Sequence, residues 1–303
     1  LAISNFENSK QSPKRYNFGF IASTDDHTAR PGTGYKQYER RKMTFATGVK
    51  SKIWEYQYAA EDPNFPEIPK IIPGESQPDS ERVSSFVYPG GILAVHAEGR
   101  GKDEIWKALK NKNVYGTSGP RILLWFDLIN SPEGQVPMGS EITMSQNPRF
   151  IIKAAGSFKQ NPGCSNESID SLSSERLEYL CAGECNNPSN EREVIEKIEI
   201  IKITPQIYAG EAVSPLIQDP WKSIPCQGSG ECIVEFEDQN FSRDSVYYVR
   251  AIQNPTPAIN GSTLSKRGNF DLCKGSFRTN LKDDCLSMTN ERAWSSPIYV
   301  NKP

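Results

Sequence analysis

The sequence predicts an α/β unit followed by an all-β unit: a mixed segment over residues 1–118 and an antiparallel β-sandwich over residues 119–303. Three observations carry this expectation. The short apolar run GGILAVHAEG, Gly90 to Gly99, is followed directly by KDEIWKALKNKN, giving strand, loop and helix in order. Beyond GTSGPRILLWFDL, six β-type runs follow one another with no convincing long helix between most of them. All seven cysteines fall in the second half, among Gly, Asn, Ser and Pro.

Taken in order, YNFGFIAST from Tyr16 is a buried-strand candidate, and the Pro-rich stretch from Glu55 to Ser85 reads as an extended surface loop or insertion. Ile92 to Val95 forms the apolar centre of the second strand candidate. In the helix that follows, Ile105, Trp106 and Leu109 share one apolar face between acidic and basic ends. The β-type runs are Arg121 to Leu128, Arg149 to Ala155, Lys197 to Thr204, Cys232 to Phe236, Val246 to Ile252 and Pro297 to Val300. SSERLEYL suits a short helix in an insertion, and NEREVIEKIEIIKI suits either helix or strand at its start. The boundary between the two units falls near Ser118 to Pro120.

A chain of 303 residues is long enough for about two domains, and 36% hydrophobic with 24% charged residues describes a globular protein. A net charge of -2 argues against a general electrostatic grip on nucleic acid or acidic membranes, and the basic run Arg40-Arg41-Lys42 is too short to change that. The longest nearly uncharged apolar run, ILLWFDLI from Ile122, falls far short of the roughly 20 residues a spanning helix needs.

CAGEC and CQGSGEC suit short disulfide-closed loops, with a zinc knuckle as the rival. No histidine accompanies these cysteines and no pair has a two-residue spacing, so disulfides are preferred. Seven is odd, which leaves one thiol to be free or to pair elsewhere. Acceptor patterns for N-glycosylation at Asn166, Asn240 and Asn260 agree with an extracytoplasmic address: secreted, periplasmic or cell-surface.

The segment FGFIASTDDHTARPGTG, residues 18–34, carries the chemistry. Asp25-x-His27 follows a strand candidate, so a carboxylate and an imidazole can project from one strand end, an ordinary ligand pair for zinc, manganese or iron. The bland alternative is a polar turn held by local hydrogen bonds.

This segment resembles the final metal motif of the polymerase-and-histidinol-phosphatase (PHP) superfamily of metal-dependent phosphoesterases. More narrowly it resembles that superfamily's large PHP-like domain-of-unknown-function branch. GGILAVHAEGRGKDEIWKALKNKNVYGTSGPRI, VPMGSEI, VYYVRAIQNPT and ERAWSSPIYVN extend the resemblance over nearly the whole chain. The resemblance implies that residues 1–118 are the C-terminal part of a distorted PHP-type α/β barrel. It further implies phosphoester hydrolysis by a metal-activated hydroxide, with Asp25 and His27 as ligands of divalent metal. Asp26 falls on the variable middle position and reads as a solvated or supporting carboxylate. His96 and Glu98 are weaker candidates for lining the site: an aromatic residue usually precedes the Ala-Glu pair, and the polar tail after Glu98 is replaced by GRGKDE. Arg121 is expected in a buried structural ion pair.

Family members also place a His-x-His pair and further ligands upstream, whereas this sequence has two histidines in all. The expectation is a C-terminal fragment or processed chain that works with an N-terminal portion of the same protein on a small phosphoester. The alternative is a non-catalytic secreted structural or binding protein on a degenerate PHP scaffold.

Overall fold

The computed structural model describes residues 1–7, 13–23, 91–181, 183–259 and 286–303. β1 (Ile92–Val95) and β2 (Val114–Thr117) are antiparallel, with α1 (Lys102–Lys110) in their connection. β3 (Leu123–Ser131), β4 (Gly134–Pro137), β5 (Glu141–Thr143) and β6 (Arg149–Ala155) follow. β7 (Phe158–Gln160) and β8 (Pro188–Arg192) then bracket a small insertion holding α2 (Asn166–Ser171) and α3 (Ser174–Cys181). The chain continues through β9 (Ile195–Ile203), β10 (Ile217–Pro225), β11 (Glu231–Glu237), β12 (Ser245–Ile259), β13 (Leu286–Ser295) and β14 (Ile298–Asn301).

Two sheets pack over one core. The larger runs β10, β9, β12, β13, β2, β1, antiparallel throughout, while β14 occupies the edge of β12 beyond β13 and takes β5 as a parallel neighbour. The smaller runs β11, β6, β3, β4. Period-two alternation sends Leu124, Phe126 and Leu128 inward from β3, and the register sets them opposite Ala154, Ile152 and Phe150 of β6. Ile198, Ile200, Tyr247, Val249, Ala251, Ala293, Ile298 and Val300 close over them from the larger sheet. Phe150 is the hub, with ring centroids 5.3 Å from Phe126, 4.7 Å from Phe236 and 4.8 Å from Tyr247.

β9 carries isoleucines on both of its faces, because both are covered, with Glu196, Lys197, Glu199 and Lys202 between them. Ile198 and Ile200 face the main core, while Ile201 and Ile203 pack with Ala2, Val246 and Tyr299 on the outer side. The N-terminal residues are stitched there, Ser4 N–H donating to Gln206 Oε1 at 3.2 Å and Gln206 N–H to the Ala2 carbonyl at 2.8 Å. Asp238 has no exposed surface, and it accepts from Lys202 Nζ, from the Tyr247 hydroxyl at 2.5 Å and from Asn240 N–H at 3.0 Å. Three donors on one carboxylate satisfy it, as a buried anion requires.

Packed, largely antiparallel sheets agree with the expectation of a β-sandwich. Of residues 1–118, the described ones are 1–7, 13–23 and 91–118, and among the described residues no sheet closes into a barrel. β2 is hydrogen-bonded to β13 through Thr117↔Ala293, so the hairpin before Ser118 belongs to the sandwich sheet. CQGSGEC closes on itself through Cys226–Cys232, whereas CAGEC does not, because Cys185 bonds to Cys164. Among the described residues no helix is long and apolar enough to cross a membrane.

Candidate functional site

Asp25, Asp26 and His27 lie outside the described residues, but the segment that delivers them does not. Asn17 to Ser23, expected as a buried strand, forms no strand and lies as an extended arm across the outer face of the larger sheet. The reason is visible in its hydrogen bonds, which go to side chains of a sheet face instead of to a neighbouring strand. Phe18 N–H donates to the Tyr299 hydroxyl at 2.9 Å, and that hydroxyl donates back to the Phe18 carbonyl at 2.8 Å. Phe20 N–H donates to Ser296 Oγ at 3.0 Å. Asn17 is held at both ends of its amide, accepting from Lys112 Nζ and donating to Glu141, each at 2.5 Å.

Packing completes the seat. The Phe20 ring meets Tyr248 edge-on at 5.1 Å. Ala22 rests on Gly116, where any Cβ would come within 2.8 Å of the Ala22 methyl, so the arm can approach the sheet only over a residue without a side chain. Gly91, the first described residue after position 23, packs against the same methyl. Ala22, Gly91 and Gly116 therefore meet at one point on the sheet.

Beside the arm is an open cleft of about 390 Å³ lined by Gly19, Phe20, Ile21, Ala22, Gly116 and Trp294. Near it the outer face carries an ionic cluster, with Arg250 paired to Glu199 at 2.9 Å and to Asp219. Burial, reinforced by the Asp219 charge, pushes the Tyr248 phenol up to about 12. Burial likewise pushes Tyr299 up to about 12, so the hydroxyl that clamps Phe18 keeps its proton throughout the physiological range.

His96 and Glu98 are placed elsewhere. His96 continues β1, its N–H donating to the Asn113 carbonyl at 2.9 Å, and its Nε2 donates to the Leu124 carbonyl at 2.8 Å. Its ring lies 5.3 Å from Tyr115 and 5.7 Å from Trp125. It thus ties the β1–β2 pair to β3, a packing role that occupies one ring nitrogen. Glu98 is exposed and pairs loosely with Lys107 at 3.7 Å. Among the described residues, neither one's hydrogen bonds or ion pairs reach the arm. Arg121, expected in a buried ion pair, is exposed.

The donor set Asp25 plus His27, one carboxylate and one imidazole, suits a divalent cation of borderline softness. The described residues add no further donor to it: the one convergent group of three ligand-type side chains among them is Cys164, Cys181 and Cys185. Sequence reasoning missed Tyr299 and Ser296 as the arm's anchors. Their signal was the closing block ERAWSSPIYVN, whose polar residues sit where an inward-and-outward strand pattern leaves them on the outer face or at the break between β13 and β14.

A family model described as "Protein of unknown function (DUF3604)" matches residues 6–162 and 223–302, which leaves 163–222 between the matched stretches. No curated protein and no solved structure matches the chain.

Proposed function

Starting from a chain that belongs to the family described as a protein of unknown function (DUF3604), we propose the C-terminal part of an extracytoplasmic PHP-like metal-dependent hydrolase acting on a small phosphoester. The observation that carries the proposal is the pinned arm. Residues 17–23 are fixed on the sandwich beside an open cleft by the Tyr299, Ser296 and Asn17 bonds, and Asp25-x-His27 follows two residues later in the sequence.

In this proposal Asp25 and His27 hold a divalent metal, which would lower the pKa of water and polarise a phosphoryl oxygen. The chain's own residues do the positioning. Tyr299 and Ser296 limit the arm's movement, and Ala22 on Gly116 sets its height above the sheet. With two histidines in the chain, one of them bonded to Leu124, the remaining ligands would come from an N-terminal portion of the same protein. Two disulfides and a glycosylation pattern support the extracytoplasmic address.

A non-catalytic binding protein is the second reading. It is favoured by the outer face of the smaller sheet, where Trp125 and Ile233 are 40% and 66% exposed.

The test is hydrolysis of small chromogenic phosphomonoesters and phosphodiesters by the native protein with any associated N-terminal portion. Chelation, Asp25→Ala and His27→Ala are each expected to lower the rate at least 100-fold, the scale of losing a group that stabilises transition-state charge. A rate unchanged by all three, or no hydrolysis of either ester class, overturns the proposal.

A further inference from the structure

The insertion between β7 and β8 has a small core of its own, in which Leu177 and Cys181 pack against Cys164 and Cys185. The three sulfurs lie within 4.8 Å of one another. Cys164 and Cys185 are bonded, and Cys181 Sγ sits 3.7 Å from Cys164 Sγ while donating to the Leu177 carbonyl at 3.2 Å. Cys181, the last residue of α3, is buried, whereas Cys164 and Cys185 are half-buried. The insertion lies in the stretch 163–222 that the family model leaves unmatched, together with β9 and most of β10.

We infer that Cys164, Cys181 and Cys185 form a thiol–disulfide exchange site, in which the bond to Cys164 passes between Cys185 and Cys181 and brings a reactive thiol to the surface. Cys181 loses its proton to solvent, and its thiolate attacks Cys164 Sγ. The Cys164–Cys181 bond forms as Cys164–Cys185 breaks, and Cys185 leaves as a thiolate that takes up a proton. The number of disulfides is unchanged, so neither oxidant nor reductant is consumed. Cys181 is buried at the end of α3, so exchange waits on loosening of the short helix, whereas the half-buried Cys185 thiol it releases is open to modification.

The experiment treats the folded full chain with iodoacetamide at pH 8, digests it unreduced with pepsin at low pH to stop further exchange, and maps linked and labelled peptides. Both Cys164–Cys185 and Cys164–Cys181 linkages are expected, with label on Cys185 in the second population. Cys181→Ala is expected to lower Cys185 labelling at least tenfold, and Cys185→Ala to yield the Cys164–Cys181 disulfide. Cys164–Cys185 as the sole linkage of Cys164 overturns the proposal, whether label falls on Cys181 or nowhere. So does a bond from Cys181 to Cys273 or Cys285. The wild-type map decides the matter even where a variant fails to fold.

Discussion

Asp127 projects from the outer face of β3 beside Trp125, where partial burial raises its carboxyl above the ordinary range. The bond from Gln135 Nε2 at 2.8 Å opposes the rise, and the charges of His96 and Lys153 oppose it further. A raised pKa in the folded state means that the native protein binds this proton more readily than the unfolded chain does. The stabilisation is therefore fully present below about pH 4, the unfolded aspartate value, and is lost as pH rises through the folded value. Asp127→Asn keeps an acceptor for Gln135 and removes the titration. Its stability relative to wild type, measured by urea unfolding, is expected to improve from pH 3 to pH 7; a constant difference would contradict this. Asp238 is the contrasting carboxylate, fully buried yet met by Lys202, Tyr247 and Asn240. No sequence pattern distinguishes the two, because each environment is assembled from several strands.

At the scale of elements, the arm is the feature on which the proposed function rests. Tyr299→Phe keeps the ring that Lys112 Nζ approaches at 5.7 Å and removes both hydrogen bonds to Phe18. At about 1 kcal/mol for each bond, amide exchange at Phe18 and Phe20 is expected to accelerate roughly 10- to 30-fold. Exchange at Val249, in the centre of β12, is expected to be unchanged, and equal rates at Phe18 in the two proteins would contradict the clamp. Residues 16–23 read as a strand because they are apolar and extended, and they are extended; what composition does not show is that Tyr299 and Ser296 side chains replace a neighbouring strand. β6 was legible to the residue, since its alternation faces one core. β10 was not, because Asp219-Pro220 interrupts its pattern. It survives at the sheet edge, where the register breaks between Gln218 and Lys222. β13 was hidden by its Asn, Glu and Arg, although Ala293 reaches the core. The cysteine spacing announced disulfides but not Cys164–Cys185, since connectivity depends on the fold of the intervening helices.

At the scale of the whole molecule, the described residues form a β-sandwich whose inner faces share one large apolar core and whose larger sheet presents a second, outer face to the N-terminal residues and the arm. β14, the last strand, supplies Tyr299, which holds the arm that precedes Asp25 and His27 in the sequence. The sandwich was legible because its strands alternate. The proposed site was legible only as the motif Asp25-x-His27, whereas the sheet under the preceding arm is built from residues 91–117 and 286–301, which no local motif connects. The most direct test of the central claim is the transition-metal content of the native protein, purified with any associated N-terminal portion and compared with Asp25→Ala and His27→Ala. At least one equivalent of zinc, manganese or iron is expected in wild type, with a substantial fraction lost in each variant. Metal at background in wild type, or content unchanged by both substitutions, would contradict it.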